Sequence, residues 1–217
     1  NNGTLDKYIG DAIMAFFGAP VKHPQHAKEA CRCALQNLEK LRELQKEFEA
    51  QGLPHIDIGI GINTGAMSVG NMGSNIVQNY TVMGDSVNLA ARLEGINKEY
   101  GTRIIISQFT YEEAKDAFTA REIDRVRVKG KLEPVRIFEL VCEGEPTDKV
   151  AENLKLFAQG YELYHQKKFG EAQECFKKSF AVSQNDPVSE LYIERCQDYL
   201  DSAPPEDWDG VFVMKTK

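Results

Sequence analysis

Four places in this chain carry residue types that could do chemistry at their spacing. The run Lys7-Tyr8-Ile9-Gly10-Asp11 alternates and then turns. That pattern sets Asp11 just after a glycine, on the tip of a hairpin, where a carboxylate can be aimed at a hard divalent cation. On spacing alone Asp11 is equally an ordinary turn aspartate. Lys7, four residues earlier, projects separately, and read without context it is an edge-strand lysine. Asn88 and Arg92 are four apart and share one helix face, which suits an anionic ligand or is a solvated surface. Lys129 beside Gly130 can meet a phosphate, or is one more surface lysine.

The composition bounds what those groups can serve. The chain has 217 residues, 42% hydrophobic and 27% charged, as an ordinary globular protein does. Lys plus Arg total 26 against 33 Asp plus Glu, for a net charge of −7. An acidic chain lacks the basic face of a general nucleic-acid binder, so no nucleic-acid partner is expected. A nucleotide site needs only a few local cations and stays open. The five cysteines, Cys31, Cys33, Cys142, Cys175 and Cys196, form no CxxC and read as reduced thiols. His23 and His26 flank Pro24 without further ligands and read as a loop before a helix.

The positioning elements follow from periodicity. Alternation over 5–9 and the apolar run 12–17 predict a hairpin. Apolar residues at three and four from Ala30 to Phe48 predict a helix over 26–50. Alternation in 56–62 predicts a strand whose glycines admit the close approach of another backbone or a ligand. Strands are expected at 67–73 and 76–83, and a helix over 85–98 capped by Asp85 or Ser86. A short buried strand at 103–106, a helix over 107–118 and strands at 121–129 and 135–141 complete the unit. A polar linker then leads to three helical patterns near 148–166, 169–184 and 187–199, and to a tail from Ser202.

Three clusters in order, Lys7-Tyr8-Ile9-Gly10-Asp11, Gly84-Asp85-Ser86-Val87-Asn88-Leu89-Ala90-Ala91-Arg92 and Val128-Lys129-Gly130-Lys131, resemble the catalytic domain of class III nucleotidyl cyclases. Gly61-Ile62-Asn63-Thr64-Gly65 and Val69-Gly70-Asn71-Met72-Gly73 fall between them. The resemblance implies an α+β, ferredoxin-like βαββαβ-type domain over 1–143. It makes Asp11 a metal ligand for one of two Mg²⁺ or Mn²⁺ ions per site in the complete enzyme. It makes Lys7 and Thr81 an adenine-selective pair with Val82 against the base. It assigns Asn88 to ribose orientation, Arg92 to the α-phosphate and Lys129 to the terminal phosphates. The reaction implied is ATP to 3′,5′-cyclic AMP and pyrophosphate. Because one chain carries both groups of residues, a homodimer with composite sites is implied.

The family's opening Asp-x-x-Gly strand, which supplies the other metal aspartate, has no counterpart before Leu5. The chain therefore reads as an N-terminally truncated portion, cytoplasmic, with any sensor or membrane anchor upstream. A guanylate cyclase and a non-catalytic dimerisation fragment are the alternatives. Gly160, Tyr161, Tyr164, Phe169, Ala172 and Phe176 resemble one tetratricopeptide-type repeat in 144–201, which suits a protein partner; a generic helical hairpin fits as well. Residues 202–217 are expected to be a tail.

Overall fold

In the computed structural model the described residues are 1–213, except 75, 77, 128–132 and 184, with residue 213 described by its backbone only. The chain starts with the strands β1 (Thr4–Ile9) and β2 (Ala12–Phe16), then the long helix α1 (His26–Ala50). Next come β3 (Ile60–Ile62), β4 (Ser68–Gly73), β5 (Gln78–Met83) and α2 (Asp85–Tyr100). β6 (Ile104–Ser107), α3 (Gln108–Ala114), β7 (Phe118–Arg127) and β8 (Val135–Glu143) follow. Three helices, α4 (Asp148–His165), α5 (Phe169–Val182) and α6 (Pro187–Asp201), precede a short β9 (Phe212–Val213).

A five-stranded sheet in the order β3-β6-β8-β7-β9 organises the molecule. Its interior strand β6 is buried throughout, and period-2 alternation divides its isoleucines between two cores. Ile104 and Ile106 pack with Cys31, Ala34, Leu38 and Leu41 of α1 and with Phe138 and Leu140 of β8. Ile105 joins Leu89, Leu93, Ile96 and Tyr100 of α2, and this second cluster continues into Phe157, Tyr161, Phe176 and Tyr192 of the C-terminal helices. β1–β2 and β4–β5 form separate antiparallel pairs rather than joining the main sheet.

Several boundaries differ from expectation for identifiable reasons. The strand expected over 56–62 is regular only over Ile60–Ile62, where it pairs in parallel with β6. The helix expected over 107–118 stops at Ala114, and Phe118 already belongs to β7, since its partner strand extends to Glu143. Within the tail, Phe212 and Val213 pair in parallel with Val126 and Arg127, extending the sheet by one strand. Among the described residues no helix is long and apolar enough to cross a membrane.

Candidate active site

Helix α2 holds the central pair of site residues, and its placement depends on one glycine. A Cβ on Gly61 would lie 2.2 Å from the Glu94 backbone nitrogen and 2.3 Å from the Ala90 carbonyl oxygen, so β3 can touch α2 only with no side chain there. Asn97 fastens the contact: its Nδ2 donates to the Ile60 carbonyl at 3.1 Å, and its Oδ1 accepts from Thr102 at 3.0 Å. The Asn63 amide donates to the Ser86 carbonyl at 2.9 Å and pins the first turn of the helix. With Leu89, Leu93 and Ile96 directed into the core, Asn88 is left exposed and Arg92 half-buried on the outer side. Neither points into the apolar interior.

The base-reading candidates come from two strands. Lys7 on β1 and Thr81 on β5 stand 74 residues apart in sequence, yet Lys7 Nζ donates to Thr81 Oγ1 at 3.0 Å. Thr81 donates in turn to Asp6 Oδ2 at 2.7 Å, and Asp6 Oδ1 lies 3.4 Å from Lys7 Nζ. Asp6 is a functional candidate that alternation conceals. Between Leu5 and Lys7 the register of β1 against β2 shifts, so that Asp6 is an extra residue with no partner across the strand pair. A bulge of this kind reverses the faces that alternation assigns. The Asp6 side chain is 1% exposed, whereas Leu5 next to it is 53% exposed. The signal in the sequence was an aspartate beside Lys7; the bulge itself leaves no mark there.

Val82 is buried and pairs with Val69 across β4–β5. Gly10 adopts φ +63° at the β1–β2 turn, a conformation that suits glycine, and presents Asp11 exposed at the tip. The bonded trio Asp6, Lys7 and Thr81 does not include Asp11. Lys129, expected at the terminal phosphates, lies outside the described residues. Among the described residues no three His, Cys, Asp or Glu side chains gather as a metal site. Asp11 is one hard oxygen ligand where a divalent ion wants several, so these residues do not by themselves fit the two-ion arrangement.

Asp6, Lys7 and Thr81 thus form one bonded trio across β1 and β5, and Asn88 and Arg92 lie on the outer side of α2. The family model of the adenylate and guanylate cyclase catalytic domain matches residues 6–141, and the chain belongs to that family.

Adenylate cyclase 1 of Rhizobium meliloti (strain 1021) is 39% identical over 141 residues, 65% of this chain and 21% of the relative. The terminal-differentiation-specific adenylate cyclase of Dictyostelium discoideum is 36% identical over 202 residues, 90% of this chain and 9% of the relative. That second match extends into the helices beyond residue 141. This chain thus spans about a fifth or less of these curated relatives' length. Among solved structures, the adenylyl cyclase CyaB from P. aeruginosa superposes with a TM-score of 0.60 at 35% identity, covering 67% of this chain and 74% of that one. The guanylyl cyclase Cya2 does so with a TM-score of 0.60 at 38% identity, covering 67% and 73%. The family generally uses divalent metal ions.

Proposed function

We propose that this chain is the nucleotide-cyclising portion of an adenylate cyclase, acting on ATP as a homodimer. The 3′-oxygen of the ribose bonds to the α-phosphorus, the bond to pyrophosphate breaks, and the hydroxyl proton leaves to solvent. Asn88 orients the ribose. Arg92 meets the charge that grows on the α-phosphate with a planar cation that does not deprotonate. Val82 lies against the base and Lys129 takes the terminal phosphates.

The observation that carries the substrate is the Lys7–Thr81 contact at 3.0 Å. An ammonium donates to the bare N1 of adenine, whereas guanine carries a hydrogen there and calls for a carboxylate instead. The homodimer is supported by the β1–β2 hairpin, where Tyr8 is 70% and Ile13 is 68% exposed. Apolar side chains of that size on one hairpin suit burial against a second copy. The helices α4 to α6 are read as a tetratricopeptide-like module for a protein partner.

The test is product formation from ATP and from GTP by the chain and by the double variant Lys7→Glu with Thr81→Cys. Native preference for ATP that turns toward GTP supports the assignment, and an unchanged ratio overturns it. The resemblance at 38% identity to a guanylyl cyclase keeps GTP as the second reading, which native production of cyclic GMP would establish.

A further inference from the structure

The geometry points to Asp6 as a positioning residue that sets the purine preference by fixing the direction of the Thr81 hydroxyl. This rests on the reading of Lys7 and Thr81 as the groups that meet the base.

A hydroxyl has one proton and two lone pairs, and can serve a ligand as donor or as acceptor. At Thr81 that choice is already made. Asp6 Oδ2, 2.7 Å away, belongs to a carboxylate that only accepts, so the Thr81 proton points to it. Lys7 Nζ, 3.0 Å away, only donates and takes one lone pair. What remains on Oγ1 is a single lone pair. It accepts from an exocyclic amine such as that at C6 of adenine. A carbonyl oxygen at C6, as in guanine or hypoxanthine, would face lone pair against lone pair, and an unmade bond in a buried site carries the full desolvation cost.

The placement of Asp6 has no other evident use in the hairpin. Burying a carboxylate is unfavourable unless it is bonded, and here the chain departs from regular pairing between Leu5 and Lys7 to do so. Among the described residues the second oxygen, Oδ1, is buried without a hydrogen bond and lies 3.4 Å from the Lys7 Nζ charge. Asp6 thus touches both candidate base-reading side chains while being too buried to meet the nucleotide itself.

The substitution Asp6→Asn tests this, because it keeps the shape and changes the polarity. The ammonium of Lys7 holds the amide oxygen, which turns the NH₂ toward Thr81 Oγ1. The hydroxyl proton is then free to point at the base. Affinities are read by calorimetry with the 3′-deoxy forms of ATP and ITP, which lack the attacking hydroxyl, so that turnover does not blur binding. The ratio of ATP to ITP affinity is expected to move toward ITP by about tenfold in Asp6→Asn. It should move less than about twofold when the same change is made on Thr81→Val, where no hydroxyl remains to redirect.

Equal weakening of both nucleotides, or a shift that persists without the Thr81 hydroxyl, overturns the role of Asp6. Absence of any ATP preference in the native chain overturns the base-reading assignment instead. Circular dichroism reports folding. If Asp6→Asn does not fold, Asp6→Ser removes the fixed acceptor without adding bulk, and its ratio must move in the same direction or the inference fails.

Discussion

At the residue scale the site is divided between groups whose chemistry the sequence displays and groups whose setting it hides. The outward placement of Asn88 and Arg92 was legible because helical periodicity is robust: Leu89, Leu93 and Ile96 face inward and leave the opposite side of the helix outermost. Asp6 was not legible, because a single extra residue in β1 reverses the alternation on which the reading of that strand relied. Arg92 carries the sharpest expectation at this scale. If it meets charge that develops on the α-phosphate only during reaction, Arg92→Ala lowers kcat by about a hundredfold or more with little change in KM. Arg92→Lys recovers a small part, since a point charge cannot replace a planar fork of donors. Steady-state rates of cyclic nucleotide formation decide it, and a variant altered in KM alone would place Arg92 in ground-state binding. Cys31 belongs to the other kind of residue. Burial pushes its thiol up to about 12, so it stays protonated at neutral pH and acts as a small core side chain.

At the element scale the helix that carries Asn88 and Arg92 is placed by what is missing from β3. Alternating glycines in 56–62 correctly announced a close neighbour, and the neighbour is the backbone of α2 around Ala90 and Glu94. The length of that strand was misjudged, because alternation begins at Ile56 whereas the parallel pairing with β6 begins only at Ile60. The strands expected at 67–73 and 76–83 lie close to the observed ones, and β4 and β5 pair residue for residue from Ser68 with Met83 to Gly73 with Gln78. Gly61→Ala should therefore do more than destabilise. A methyl 2.2 Å from a backbone nitrogen cannot be absorbed by turning a side chain, so α2 must retreat from the sheet and take Asn88 and Arg92 with it. Overpacking of this kind costs about 1–3 kcal/mol, and the melting temperature of a chain this size should fall by about 3–10 °C. The discriminating measurement is kcat at a temperature where the variant is still fully folded. A normal rate there would show that α2 is not held in its working position by this contact.

At the scale of the whole molecule, the C-terminal helices are bound to the catalytic sheet through buried charge, which no local pattern could have revealed. Arg121 of β7 is 65 residues from Asp186 at the start of α6, yet donates to both its oxygens at 2.6 and 2.9 Å while also reaching Glu139. Asp186 accepts in addition from Ser189 Oγ at 2.7 Å and Asn153 Nδ2 at 3.2 Å. A second bridge joins Arg195 of α6 to Asp124 of β7 at 2.6 Å, with Tyr100 donating to the same oxygen. Burial by itself would raise the Asp186 carboxyl, but the hydrogen bonds and charge of Arg121 outweigh it and hold the group below the usual carboxylate range. A depressed value means that the folded state binds the proton less readily than the unfolded chain does. Its stabilisation is therefore complete above the unfolded value near about pH 4 and is lost as pH falls through the lower folded value. His165, lowered chiefly by burial and then by Arg125, acts earlier in the same direction: stability declines once pH drops below the ordinary imidazole value of about 6.5. Denaturant midpoints measured from pH 8 down to pH 3 should thus fall in two stages, with the lower stage reduced in Asp186→Asn. Because that variant leaves Arg121 buried beside one carboxylate instead of two, its stability at pH 7 should already be reduced by about 3 kcal/mol or more. A midpoint at pH 7 unchanged from the native chain, together with an intact lower stage, would mean that Arg121 and Asp186 do not couple the helices to the sheet.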